Sequence, residues 1–313
     1  MEASSTATPP VEAPTLTLRR RRYSEDVVKG LLFLAAFVSV LTTVGIVVSL
    51  LGETIAFFGE VGVREFLFGT VWTPLFSPAS YGVIPLVAGT LLIAVIALMV
   101  AVPLGLGSAI YLSEYASRRL RRVLKPALEV LAGIPTIVFG YFALTFFTPT
   151  ILQALFGFDV QVFNALSAGI VIGFLILPTI ASVAEDAMSS VPGSLREGAF
   201  GVGASQLQVS LRVVFPAALS GVAAAVVLGA SRAIGETMIV LLAAGQQPNL
   251  TGDPRQAIET MTAFIAATAG GDVATGSVAY RTLFAVGTTL FVLTLIVNAI
   301  SIRFVRRFRQ VYE

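Results

Sequence analysis

Six apolar runs of about 20 residues or more constrain this chain more than any other feature, because an α-helix of that length is needed to cross roughly 30 Å of hydrocarbon. They lie near Val27 to Leu51, Ile84 to Leu112, Pro126 to Phe147, Phe163 to Ala184, Ala217 to Ala244 and Arg281 to Ile302. The expected fold is an all-α polytopic membrane protein with six transmembrane helices. Composition agrees: 56% of residues are hydrophobic and 12% charged, with a mean hydropathy of +0.89, whereas a soluble domain carries roughly a quarter charged residues. The first run is too long for a signal-peptide core and no small-residue cleavage pattern follows it, so it is expected to be a retained anchor. The second exceeds a single crossing and contains Pro103, which points to tilt, a kink or a cytosolic extension.

Basic residues set the expected orientation. Arg19 to Arg22 with Lys29, the cluster Arg118, Arg119, Arg121, Arg122 and Lys125, the pair Arg196 and Arg212, and Arg303, Arg306, Arg307 and Arg309 all fall on one side if the spans alternate. Arg64, Arg255 and Arg281 fall on the other. The positive-inside rule then makes both termini cytoplasmic. Residues 1–22 read as a disordered cytosolic tail, rich at first in Ser, Thr, Ala and Pro, and 23–313 as a six-span membrane domain. The arginine run before the first span reads as a topology signal rather than a nucleic-acid patch.

A polar interruption, Glu197 to Pro216, divides the fourth and fifth runs and reads EGAFGVGASQLQVSLRVVFP. Ser194 and Glu197 have capping-box spacing, which predicts a helix beginning at Ser194. Gly201 and Gly203 suit a left-handed helix end, and Ser205 with Gln208 repeats the box for a second helix that stops before Pro216. Leu207, Leu211 and Val214 give that second helix one apolar face, opposite Gln206, Ser210 and Arg212. The unit, about 194–216, is helix, glycine turn, helix, on the cytosolic side. Outside, 52–82 and 245–280 are the long loops, and Gln256 to Ala269 reads as a short helical lid or docking surface.

The chain has no cysteine and no histidine, which excludes disulfides, thiolate metal sites and imidazole catalysis. No catalytic or metal-binding residue is expected. There is no GxxxxGK[ST] sequence, so nucleotide chemistry must come from a partner.

The remaining basic residue, Arg232, lies inside the fifth run with Glu236 four residues later. Each such charge costs roughly 2.5 to 3.5 kcal/mol at the bilayer centre, so neither belongs against lipid. At 100° per residue Ala225, Gly229, Gly235 and Ala243 share their side, which leaves room for a cavity. Two readings stay open: a buried i, i+4 ion pair clamping two helices, or an oxyanion site in which the guanidinium supplies paired donors and the carboxylate holds it or accepts from a protonated phosphate. Pro135 and Pro178 read as kinks, Glu129 as a boundary ion pair with Lys125, and Trp72 as an interfacial anchor.

The interruption resembles the EAA coupling loop of ABC importer permeases, through Glu197-Gly198-Ala199, Gly203, Val213 and Phe215-Pro216. Ser231 to Thr237 (SRAIGET), Pro85 to Leu92 (PLVAGTLL), Tyr111 to Tyr115 (YLSEY), Leu128 to Pro135 (LEVLAGIP) and Tyr280 to Phe284 (YRTLF) are similar to the PstC-type permease subunit of phosphate ABC importers, in the type I, MetI-like permease family. That resemblance implies a subunit of a prokaryotic cytoplasmic membrane that itself catalyses nothing and binds no cofactor. Its implied partners are a homologous second permease, an ATPase dimer carrying ATP and magnesium, and an extracytoplasmic phosphate-binding protein. It implies that the loop docks on the ATPase. Arg232 and Glu236 are expected to line the substrate pathway. Sulfate, molybdate or another oxyanion is the alternative cargo. A self-sufficient secondary transporter is the alternative class, against which the coupling loop speaks. No carbonyl lining or charge ring of an ion channel is found.

Since the chain contains no cysteine, single cysteines report its sidedness. In intact cells Ser205→Cys should resist an impermeant thiol reagent and Asn249→Cys should react; the opposite pattern would overturn the orientation.

Overall fold

The computed structural model describes residues 23–308, with side chains for 25–303; the expected tail, 1–22, lies outside them. The chain divides after Ser49 into two units. In the first, residues 23–49 are a single helical stretch, and from residue 30 onward its exposed side chains are mostly apolar. They open helix α1, Tyr23–Phe58.

The second unit runs on from Leu50. It holds the end of α1, then α2 (Val63–Phe68), α3 (Ile84–Ile110, prolonged by wide i→i+5 turns to Tyr115) and α4 (Arg118–Ala132). There follow α5 (Thr136–Leu155), α6 (Ala165–Ser189), α7 (Gly193–Gly201), α8 (Gln206–Ala217) and α9 (Leu219–Ile234). A short α10 (238–244), α11 (Met261–Ala269) and α12 (Val278–Phe308) complete it. Among the described residues five helices are long and apolar enough to span a membrane, and a sixth crossing results if α8 and α9, bent by 74° at Ala218, are taken together.

Two crossings differ from the sequence expectation. The third is Thr136–Leu155 rather than Pro126 to Phe147. The apolar residues after Pro126 are one face of the separate amphipathic α4, whose opposite face carries the arginines, and Gly133 to Pro135 break the chain before α5. Pro135 therefore sits at a helix start, where its missing N–H costs nothing, while Pro178 is carried inside α6. The fifth crossing, expected as one helix from Ala217 to Ala244, is interrupted at 235–237.

The centre of the second unit is α6, with Ala168, Ile172, Leu175, Ile176 and Ile180 fully or almost fully buried. Helices α3 and α9 pack along it. Glycines let α9 approach α6 closely: an added Cβ would come within 2.4 Å of Ala187 Cβ at Gly221 and within 2.7 Å of the Ile180 side chain at Gly229. Small residues allow this approach, which gains dispersion where lipid offers no hydrophobic drive. A hydroxyl pair, Thr54 with Thr288 at 2.8 Å, joins the end of α1 to α12.

A second cluster caps one end of these helices. Trp72 is 2% exposed, packed edge-on against Phe264 with centroids 4.9 Å apart. It is a core residue, not an interfacial anchor. The segment expected as a lid is equally enclosed: helix begins only at Met261, after Thr260 accepts from Ala263 N, and Met261 to Phe264 are buried. Residues before it are held extended because Ala257 N donates to Gln161 Oε1 and Ile258 N to Ala244 O.

Candidate functional site

Arg232 and Glu236 sit on either side of the break in the fifth crossing. Arg232 occupies the last turn of α9, and the chain turns at Gly235 before Glu236. The helix ends between them, so the i, i+4 register is lost and no ion pair joins the two side chains among the described residues. Arg232 Nη1 instead donates to Thr179 Oγ1 on α6 at 3.0 Å. Glu236 Oε1 accepts from Met238 N at 3.1 Å and Ile239 N at 3.4 Å, capping the start of α10. Each charge thus faces the helix end that favours it, the guanidinium at a C-terminus and the carboxylate at an N-terminus.

Neighbouring elements hold the break in place. Thr262 Oγ1 on α11 donates to the Glu236 carbonyl at 2.7 Å, and Ser231 Oγ bonds Asn298 Oδ1 on α12 at 2.8 Å. Part of the small-residue stripe packs closely: Ala225 is fully buried and Gly229 lies against Ile180 of α6. Beyond Ile234 the helical phase is interrupted, so Ala243 no longer belongs to that stripe.

The polar interruption forms the expected hairpin with shifted details. Helix α7 starts at Gly193 behind Pro192, and no side chain caps it, so the Ser194–Glu197 box is absent and Glu197 is exposed. Proline fixes the entry dihedral and pulls the start one residue earlier. The helix ends as expected at Gly203, whose φ of +86° is the left-handed conformation. Ala204 N bonds Ala199 O and Gly203 N bonds Phe200 O, the paired closure of a Schellman motif. The Ser205–Gln208 capping box is present in both directions.

Helix α8 then runs through Pro216 rather than stopping before it. Wide i→i+5 turns over Ser210–Val214 precede the proline. They also change the buried face: Val209, Ser210 and Val214 are inside, while Leu207 and Leu211 are exposed. Gly198 is exposed beside Glu197, and Ala199 is half-buried.

Three ionic features were not legible from sequence spacing. Arg196 of α7 meets Glu114 at 2.9 Å and donates to the carbonyls of Met188 and Val191, and Gln206 Nε2 donates to Glu114 O. Fully buried Glu185 on α6 accepts from Arg121 and, at 2.8 Å, from Lys125, which also reaches Asp186 at 2.5 Å. Lys125 therefore pairs across helices, not with Glu129. Burial alone would lower its pKa, but the bonds to Asp186 and Glu185 outweigh that and hold it above its ordinary value. Lastly, Glu259, 6% exposed, faces a cavity of about 480 Å³ shared with Trp72, Gln246 and Asp272, and burial pushes its carboxyl up to about 7.

Residues 101–310 match the model of the family described as binding-protein-dependent transport system inner membrane component. YqgH of Bacillus subtilis, named a probable ABC transporter permease protein, is 33% identical, covering 88% of this chain and 89% of its own. The phosphate transport system permease protein PstC of Mesorhizobium japonicum is 31% identical over 96% of both chains. Among solved structures, a bacterial alginate ABC transporter, in complex with an alginate-bound periplasmic protein, superposes with a TM-score of 0.64 over 92% of this chain and 98% of its own, at 17% identity.

Without a direct Arg232–Glu236 bond, their stability effects should add. In a double-mutant cycle of Arg232→Gln and Glu236→Gln, read as unfolding free energy in detergent, the coupling should stay within about 0.5 kcal/mol, and Glu236→Ala alone should cost about 1 kcal/mol as a lost cap. A coupling of several kcal/mol would restore the ion-pair reading.

The Glu259 carboxyl predicts a pH signature of definite sign. A carboxyl raised in the folded state favours its protonated form, so stability should be greatest below pH 4.5, fall as pH rises to about 7 and then level off. Thermal unfolding of Glu259→Gln should lack that decline.

Proposed function

We propose that this chain, which belongs to the family of binding-protein-dependent transport system inner membrane components, is the permease subunit of an ATP-driven importer of inorganic phosphate. The observation that carries the cargo assignment is Arg232: a guanidinium in a membrane-crossing segment, bonded to the Thr179 hydroxyl and joined to no carboxylate among the described residues. Such a charge is costly in hydrocarbon unless something anionic offsets it. Its planar donors fit a tetrahedral oxyanion. Likeness to a phosphate permease along 96% of both chains favours phosphate over sulfate or molybdate. Glu236 stands at the same break, where a carboxylate accepts from a protonated phosphate and repels a fully ionised sulfate.

The hairpin faces the cytosol in this reading, as the basic residues suggest, and both termini lie there. Exposed Phe200, Val202 and Leu207 form its contact surface for an ATPase subunit, with Glu197, Gly198 and Ala199 on α7 and Gly203 at the turn. ATP and magnesium belong to that ATPase dimer. A homologous second permease would complete the pathway beside Arg232, and an extracytoplasmic binding protein would deliver phosphate from the opposite side. This chain's part is to bind, orient and release, with no bond made or broken. The coupling hairpin weighs against a self-sufficient carrier.

Radiolabelled phosphate uptake by the assembled importer, normalised to inserted protein, tests the site. Arg232→Gln should lower uptake roughly tenfold or more, the scale of a lost hydrogen bond to a charged group, and Arg232→Lys should recover only part. Near-normal uptake by the Arg232→Gln, Glu236→Gln double variant would refute the pathway assignment.

Coupling is read separately. A β-carbon added at Gly203 would meet nothing within 4 Å, so Gly203→Leu acts through the backbone alone, at a cost of about 1 kcal/mol or more. It should lower phosphate moved per ATP hydrolysed while membrane insertion stays normal; an unchanged ratio would remove the hairpin from coupling.

A further inference from the structure

Helix α4 is amphipathic along its full length, and none of its residues is buried. It joins the end of one span at Tyr115 to the start of the next at Thr136, which places it beside the ends of two crossings, at the level of lipid headgroups. At 100° per residue, Arg118, Arg121, Arg122 and Lys125 share one arc with Glu129. Leu120, Val123, Leu124, Leu128 and Leu131 fill the other.

Two clefts flank these arcs. One, of about 550 Å³, is lined by Arg118, Arg121, Arg122, Lys125, Pro126 and Glu129. The other, of about 470 Å³, lies between α3 and α4 and is mainly apolar, with Pro103, Leu104, Leu112, Leu124 and Leu128 in its wall and Tyr111 also lining it. Arg121 and Lys125 are engaged by Glu185 and Asp186 and fasten α4 to α6. Arg118 and Arg122 are exposed and make no ion pair among the described residues. The anchored helix therefore presents two guanidinium groups without ion pairs, in a cleft whose basic residues outnumber its single carboxylate, Glu129, on one flank, and an open hydrocarbon-lined slot on the other.

We propose that α4 and its two clefts bind an anionic phospholipid, the headgroup phosphodiester seated by Arg118 and Arg122 and one acyl chain lying in the slot beside Leu124 and Leu128. Charge and apolar surface occur side by side on one helix, as they do in a phospholipid. Inorganic phosphate shares the headgroup chemistry but would leave the slot empty. An acidic protein surface would match the arginines without requiring an apolar slot at the span ends. Basic residues at such a boundary each strengthen binding to anionic lipid about fivefold.

The test uses the full chain assembled with its partner subunits in detergent. The cysteine-free sequence allows one fluorophore at Leu128→Cys, quenched by phospholipids brominated on the acyl chain. Brominated phosphatidylglycerol should quench at a mole fraction roughly 25-fold lower than brominated phosphatidylcholine with the same chains. Adding Arg118→Gln and Arg122→Gln should remove that preference while quenching at high lipid persists, which shows that the slot remains folded. Equal potency of the two lipids, or a preference that survives both arginine changes, would overturn the proposal. Loss of the preference in millimolar inorganic phosphate would reassign the cleft to the free anion, and a label quenched by neither lipid would assign it to a protein partner; both outcomes also overturn it.

Discussion

A broken helix inside a membrane leaves amides and carbonyls where water cannot reach them, and each unmatched group there costs several kcal/mol. The fifth crossing depends on how its break is satisfied. Glu236 takes two amides of the following helix, Thr262 supplies a donor to the Glu236 carbonyl, and the turn at Gly235 closes α9 on Ser231 O. Arg232 lies at the end of α9, bonded to the Thr179 hydroxyl. The same contacts make α11, part of the outer segment expected as a lid or docking surface, a structural support for the break.

Local signals were legible where they acted locally. Ser205 and Gln208 formed their capping box because both partners lie within one turn, and Gly203 took the positive φ that its position required. Ser194 failed as a cap because Pro192, two residues upstream, fixes the helix start. The six apolar runs located the crossings, yet the third was misplaced: an apolar run does not distinguish a lipid-facing helix from one face of an amphipathic helix until the break at Gly133 is known. The Arg232–Glu236 pairing failed for a related reason, since a periodic projection presumes an unbroken helix. Glu114 with Arg196, and Glu185 with Arg121 and Lys125, join residues far apart in sequence, for which spacing carries no signal.

The hairpin is tied to the bundle on two sides. Its first helix is fixed to the end of α3 by Arg196 and Glu114, and its second donates through Gln206 to the Glu114 backbone. Val209 and Val214 bury against Ala109, Met188 and Val222 of the helices above it. Leu207 and Leu211 remain outside, available to a partner.

The bend at Ala218 turns this attachment into a crank. Helices α8 and α9 meet at 74°, so a push along the axis of α8 projects only about a quarter of its length onto the axis of α9, the cosine of that angle. The remainder acts sideways on the foot of α9. A displacement of α8 along its own axis is therefore mostly transverse to α9, the helix that carries Arg232.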